Sequence, residues 1–140
     1  GADHLWMVSE AGNGGKGEVV RLRTKDGGVA GRIPYGENGF TSIHSIAAAP
    51  DGRIWTGGSA GQPARAFVAL LDSSGKELMR HEAGDKGEQQ VRAVAAGPAG
   101  TVFATGEAGE DVFVWKLQIN SANGRTAIQT QSAIQATNRR

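Results

Sequence analysis

The amino-acid sequence predicts an all-β chain built from four-stranded antiparallel units, and three observations carry that prediction. The first is an internal repeat. The stretch 43–58, I-H-S-I-A-A-A-P-D-G-R-I-W-T-G-G, returns over 91–106 as V-R-A-V-A-A-G-P-A-G-T-V-F-A-T-G, so that Pro50, Gly52 and Gly58 recur 48 positions later as Pro98, Gly100 and Gly106. A period of this length belongs to modular folds and has to be recognised before any element is assigned. The second is the even spread of 22 glycines through short apolar segments, which signals many tight turns. The third is segment length: runs of four to seven residues rich in Val, Phe and Leu, bounded by Gly, Pro, Asp or Ser, read as strands and are too short for helices.

Three kinds of segment recur in a fixed order. The first kind, 42–49 and 90–97, is apolar and alanine-rich, suited to strands that crowd together at an axis. The second, 4–9, 53–57 and 101–105, pairs an aliphatic with an aromatic residue. Trp6, Trp55 and Phe103 share one position in it, as expected of aromatics that pack between neighbouring sheets. The third, 18–23, 66–71 and 112–117, is rich in Val, Phe and Leu. After a turn containing Asp26-Gly27, Ser74-Gly75 or Asn123-Gly124, a more polar fourth segment follows at 29–33, 77–81 and 125–130. Asp-Gly and Asn-Gly supply the positive φ of hairpin turns, and polar strands suit an outer edge.

Four antiparallel strands in a unit of about 48 residues is the arithmetic of a β-propeller blade. The second and third units, 41–88 and 89–131, have all four strands, whereas the first, 3–40, begins at its second. The segment 132–138 aligns with the alanine-rich first strands, so the chain reads as three blades permuted by one strand, with 132–138 as the inner strand of the first blade. Propellers have about four to eight blades. The chain is therefore expected to be half of a six-bladed ring completed by a homodimer, with the terminal strand donated in trans, or a fragment that associates with the rest of a larger propeller.

The segment 66–75, A-F-V-A-L-L-D-S-S-G, resembles the DAFVAKLDSSG signature of the bacterial β-propeller repeats called SBBP. The segment 48–57, A-A-P-D-G-R-I-W-T-G, resembles their VDSDGNVYVTG stretch and the PDGKIVVAG stretch of the delta-60 repeats, and 111–117 repeats the first signature. The resemblance covers residues 41–118 well and 4–27 loosely. It implies a propeller fold, a bacterial secreted, cell-surface or periplasmic protein, and binding or scaffolding more than catalysis. It supplies no catalytic residue set.

Composition removes several function classes. Fifteen basic and fourteen acidic residues, well mixed, give a net charge of +1, without the basic face of a nucleic-acid binder. The chain has no cysteine, which excludes disulfides and thiolate metal sites. No stretch approaches the ~18 apolar residues of a membrane helix, so membrane insertion is not expected. Residues 1–4 do not resemble the start of a signal peptide and read as a processed end. The glycine loop 12–17 has Gly17 after Lys16 where a phosphate-binding loop needs Ser or Thr, and a strand follows, so it reads as a hairpin loop.

His4, His44 and His81 are too dispersed for a local metal site, and no metal or cofactor is expected. His44 and Arg92 hold matched places in the alanine-rich strands, where they would line an axial channel. Glu10 and Glu107 hold matched places at the start of a loop, near Glu110 and Asp111, without the alternate spacing of a calcium loop. Tyr35 and Phe40 flank Gly36-Glu37-Asn38-Gly39 in the connection into the second unit, and that connection should share one face with the loops at 10–17, 58–65 and 107–111. The expected ligand-binding residues are therefore Tyr35, Glu37, Asn38, Phe40, His44, Arg92, Glu10 and Glu107, with no catalytic residues, in a non-enzymatic module for a protein or glycan partner. The alternative is a propeller hydrolase or lyase subunit, in which His44 and Arg92 converge at the axis with Glu37 or Glu88.

Overall fold

The computed structural model describes residues 4–9, 17–35, 41–83, 88–122 and 125–137. These form eleven strands and no helix: β1 (His4–Ser9), β2 (Gly17–Arg23), β3 (Val29–Tyr35), β4 (Thr41–Ala48), β5 (Ile54–Ala60), β6 (Arg65–Leu71), β7 (Glu77–Glu82), β8 (Gln89–Ala96), β9 (Thr101–Ala108), β10 (Asp111–Ala122) and β11 (Arg125–Thr137). They make three antiparallel sheets of sequential hairpins, with orders β1-β2-β3, β4-β5-β6-β7 and β8-β9-β10-β11.

The turns at one end are closed by short-range chemistry. Asp72 accepts from the backbone N–H of Ser74 at 2.8 Å and of Lys76 at 3.0 Å, Asp51 from Arg53 N–H at 3.0 Å, and Asp26 from Gly28 N–H at 2.9 Å. Each carboxylate thus stands in for a backbone acceptor across the bend. These bonds hold the three carboxyl groups below the usual aspartate range: Gly28 N–H is the main cause for Asp26, Arg53 for Asp51 and the Ser74 hydroxyl for Asp72.

The middle sheet is buried on both faces. Strand period assigns alternate residues to opposite faces. Along β6, Phe67, Ala69 and Leu71 enter the core shared with the first sheet, while Ala66, Val68 and Leu70 enter the core shared with the third. That double burial explains the unbroken apolar run, which a half-exposed strand would interrupt with polar residues. On β5, Ile54 faces the first sheet and Trp55 the third, where it meets Val91, Val102, Ala104, Phe113, Trp115 and Leu117. Burying each large side chain is worth roughly 1.5–3 kcal/mol.

Polar contacts complete the stack. Ile33 of β3 seats on Gly75, whose φ of 92° and missing side chain leave that space. Arg21 lies over the Trp6 ring at 5.8 Å and donates from Nη1 to the Ser73 carbonyl at 3.2 Å. Between the second and third sheets, His81 meets the Trp115 ring edge-on at 5.2 Å, and burial lowers its pKa. His81 is therefore half-buried in a packing contact, although it lies on a polar outer strand.

Thr56 is fully buried, and its hydroxyl has no partner among the described residues. Thr56→Val keeps the shape and removes the unsatisfied group, so it is expected to stabilise the fold by about 1 kcal/mol in a urea titration.

The terminal strand departs from expectation. β11 pairs with β10 along its whole length, from Ala122↔Arg125 to Asp111↔Thr137, with one register shift between Lys116 and Leu117. Residues 133–137 thus extend the outer strand of the third sheet, and within this chain they are not the inner strand of the first. A hairpin partner joined by a short turn costs far less chain entropy than a strand returning to the far end of the molecule. Residue 138 lies outside the described residues.

Candidate functional site

The matched positions of His44 and Arg92 acquire a structural meaning from the strand register. In β4 the pairing passes from Ile43↔Gly58 to Ser45↔Gly57, leaving His44 without an opposite residue. In β8 it passes from Val91↔Gly106 to Ala93↔Thr105, leaving Arg92 in the same position. Each is the extra residue of a β-bulge, a device that re-aims a side chain and sharpens the local twist. The bulge is possible because the opposing residue is glycine. A Cβ on Gly58 would collide with the Ser42 carbonyl, and one on Gly106 with the Gln90 carbonyl.

The bulge also decides which residues meet. Continued without it from Ala96↔Val102, the register would set Glu107 opposite Val91; with it, Glu107 faces Gln90. A slip of one residue exchanges the two faces of a strand, so the bulge in β8 is what sets Gln90, and not the buried Val91, beside Glu107. There Gln90 Nε2 donates to Glu107 Oε2 at 3.2 Å, and Arg92 donates from Nη2 to the same oxygen at 3.4 Å, with its Nε 3.4 Å from Oε1. The Arg92 guanidinium, then Gln90, hold the Glu107 carboxyl below the usual range, and the charge of His44 acts in the same direction. Ser45 Oγ accepts from Val94 N–H at 3.1 Å, tying the two inner strands together just beyond the bulges.

The arrangement is an open cluster of His44, Gln90, Arg92 and Glu107 spanning two sheets. Arg92 and Glu107 are about half exposed, so their pair is screened by water and salt and adds little to stability. Its donors and acceptors remain available for exchange with an incoming polar group. Strand direction and the Gln89 N–H to Ala64 carbonyl bond at 2.8 Å set the 61–64 connection at the same end as the start of β8.

Of the expected binding residues, the structure thus brings together His44, Arg92 and Glu107. Tyr35 ends β3, paired in register with Gly17. Glu10, Glu37, Asn38 and Phe40 lie outside the described residues. Glu88 is exposed, and its carbonyl accepts from Gly109 N–H at 3.2 Å. Two contributors were not anticipated, Gln90 and the Ser45 tie. Their signal is the pair of glycines at one repeat position, Gly58 and Gly106, which mark the bulges that align them.

At the opposite end of the stack a cavity of about 190 Å³ opens between the turns of the second and third sheets. Trp55, Leu70 and Ile119 line it, with Asp51 and Arg53 joined by a salt bridge among its walls. Among the described residues, no three His, Cys, Asp or Glu side chains gather to hold a metal ion.

No family model matches the chain, and no curated protein matches it. Solved structures do. A protein of unknown function from Bacteroides caccae superposes with a TM-score of 0.64 over 96% of this chain and 41% of its own, at 11% identity. Hsv2 from Kluyveromyces marxianus gives 0.62 over 94% of this chain and 42% of its own, at 10% identity. Hsv2 from Kluyveromyces lactis gives 0.56 over 94% and 43%, at 11% identity. The chain spans about 41–43% of the length of these three proteins. Hsv2 is a β-propeller. At this identity the likeness is one of fold: the chain is an all-β, propeller-like stack of antiparallel sheets.

Proposed function

We propose that this chain is an arc of a β-propeller of the SBBP or delta-60-like kind, acting as a non-enzymatic binding or scaffold module for a protein or glycan partner. The observation that carries the reading is the pair of matched bulges. They turn His44 and Arg92 out of adjacent inner strands beside Glu107 and Gln90, in a solvent-open cluster. A guanidinium, an imidazole, an amide and a carboxylate, presented together by rigid strands, suit the hydroxyl and carboxylate groups of a glycan or a polar peptide. Resemblance to secreted and surface repeats agrees with such a partner.

The hydrolase or lyase alternative asks for a proton donor near His44 and Arg92. The acid beside them is Glu107, which its partners keep ionised. A general acid is tuned in the other direction, towards a raised pKa.

The test is a binding screen of the chain against neutral and acidic oligosaccharides and acidic peptides, repeated with His44→Ala and Arg92→Ala. For the ligand found, Arg92→Ala is expected to weaken affinity about 10- to 100-fold, the worth of a charge-assisted hydrogen bond, while the melting temperature stays within a degree or two. Binding left untouched by both substitutions would remove this cluster as the site.

A further inference from the structure

We propose that the two outward faces of the sheet stack close on a second copy of this chain, head to tail, so that two chains complete one ring of six sheets. The inference deepens the propeller reading and rests on it. It uses no strand exchange, because β11 is already paired with β10.

The internal repeat supplies the template. In the stack, each sheet offers one face to its predecessor and the other to its successor. Trp6 of the first sheet shares a core with Ile54 of the second, and Trp55 of the second shares a core with Val102 of the third. The next residue in this series is Phe103, which stands where Trp55 stands but is 43% exposed. Opposite it on β10 is Lys116, and further along the same face of β10 are Val112 and Val114, 47% and 44% exposed, at the register positions that Ala66 and Val68 occupy in the second sheet. Ala66 and Val68 are fully buried. The apolar positions that are covered at Trp55, Ala66 and Val68 are thus bare at Phe103, Val112 and Val114, while Lys116 takes the place of Leu70.

The other end of the stack shows the complement. Leu5 precedes Trp6 as Ile54 precedes Trp55 and Val102 precedes Phe103, and it faces away from the second sheet. Ile54 is 1% exposed and Val102 fully buried, whereas Leu5 is 60% and Met7 43% exposed. One chain therefore carries both halves of an interface it already makes twice internally. A face of Phe103, Val112 and Val114 continues that interface and fits a face like that of Leu5 and Met7.

The ring geometry agrees. Two copies related by a two-fold axis make the same face-to-face contact twice and leave no open end. Six sheets also fall within the usual range of about four to eight blades.

The experiment is native mass measurement of the whole chain over a concentration series, with two variants and one cross-link. The expected result is a species of twice the 14.5 kDa chain mass. Val114→Asp, on one face, and Leu5→Asp, on the other, should each give folded monomer, with circular dichroism confirming retained β structure. Because the chain lacks cysteine, a Leu5→Cys, Phe103→Cys variant should form, under mild oxidation, a disulfide between one chain's residue 103 and the partner's residue 5. Three outcomes overturn the proposal: a wild-type monomer at every concentration, a dimer indifferent to both face substitutions and without the cross-link, or open-ended polymers. The cross-link keeps the test decisive if an aspartate variant fails to fold. A β-rich monomer that retains ligand binding would contradict the closure while leaving the binding reading intact.

Discussion

Gly58→Ala is expected to cost about 3 kcal/mol of folding stability or more, and Gly106→Ala a similar amount. The reason is local: a methyl group at either position would collide with a carbonyl of the neighbouring bulged strand, Ser42 or Gln90, and backbone cannot rotate away as a side chain can. In a chain of this size that corresponds to a fall of roughly 10 °C in melting temperature, read by thermal or urea denaturation. Gly52→Ala provides the control. Gly52 has a φ of 88° but nothing within 4 Å of the added carbon, so only backbone strain of about 1 kcal/mol is expected. Equal effects at positions 52 and 58 would mean that β4 does not bulge towards β5 at His44.

Trp55→Ala should be at least as damaging, at about 3–5 kcal/mol. Trp55 is 1% exposed and lies at the centre of the core between the second and third sheets, where no neighbour can collapse into the space without breaking strand pairing. Phe103, its repeat equivalent, gives the contrast. Under conditions where the chain is monomeric, Phe103→Ala is expected to cost about 1 kcal/mol, because the residue is 43% exposed already. Two aromatics at one repeat position would then differ severalfold in worth, solely because one has a sheet in front of it. Comparable losses would contradict the stacking order.

The sequence is most legible where one residue type has one physical use. The turns at Asp26-Gly27, Asp51-Gly52 and Ser74-Gly75 are read from residues that tolerate positive φ, and those glycines do adopt it. The strands follow from apolar runs between turns. The bulges at His44 and Arg92 are invisible to that reasoning, because the alanine-rich strands stay equally apolar on either side of the extra residue. Only the repeated glycines opposite betray them. Hence His44, Arg92 and Glu107 are recognisable as matched polar positions, whereas the Gln90–Glu107 pair depends on a register shift marked only by the glycine opposite it. The segment 133–137 misleads for a related reason. Its composition fits an inner strand, yet β10 extends to twelve residues and β11 grows with it as the adjacent hairpin partner.

Amide hydrogen exchange resolved by strand tests the central claim, that the repeat places the second sheet between two others. If it does, the amides of β6, paired on both edges by β5 and β7 and covered on both faces, exchange only through global unfolding and are the slowest in the chain. The amides of β1, which lies at the edge of the first sheet, exchange faster than those of β6. Exchange of β6 as rapid as that of β1 would contradict the stacked arrangement and with it the adjacency of the two bulged strands that carry His44 and Arg92.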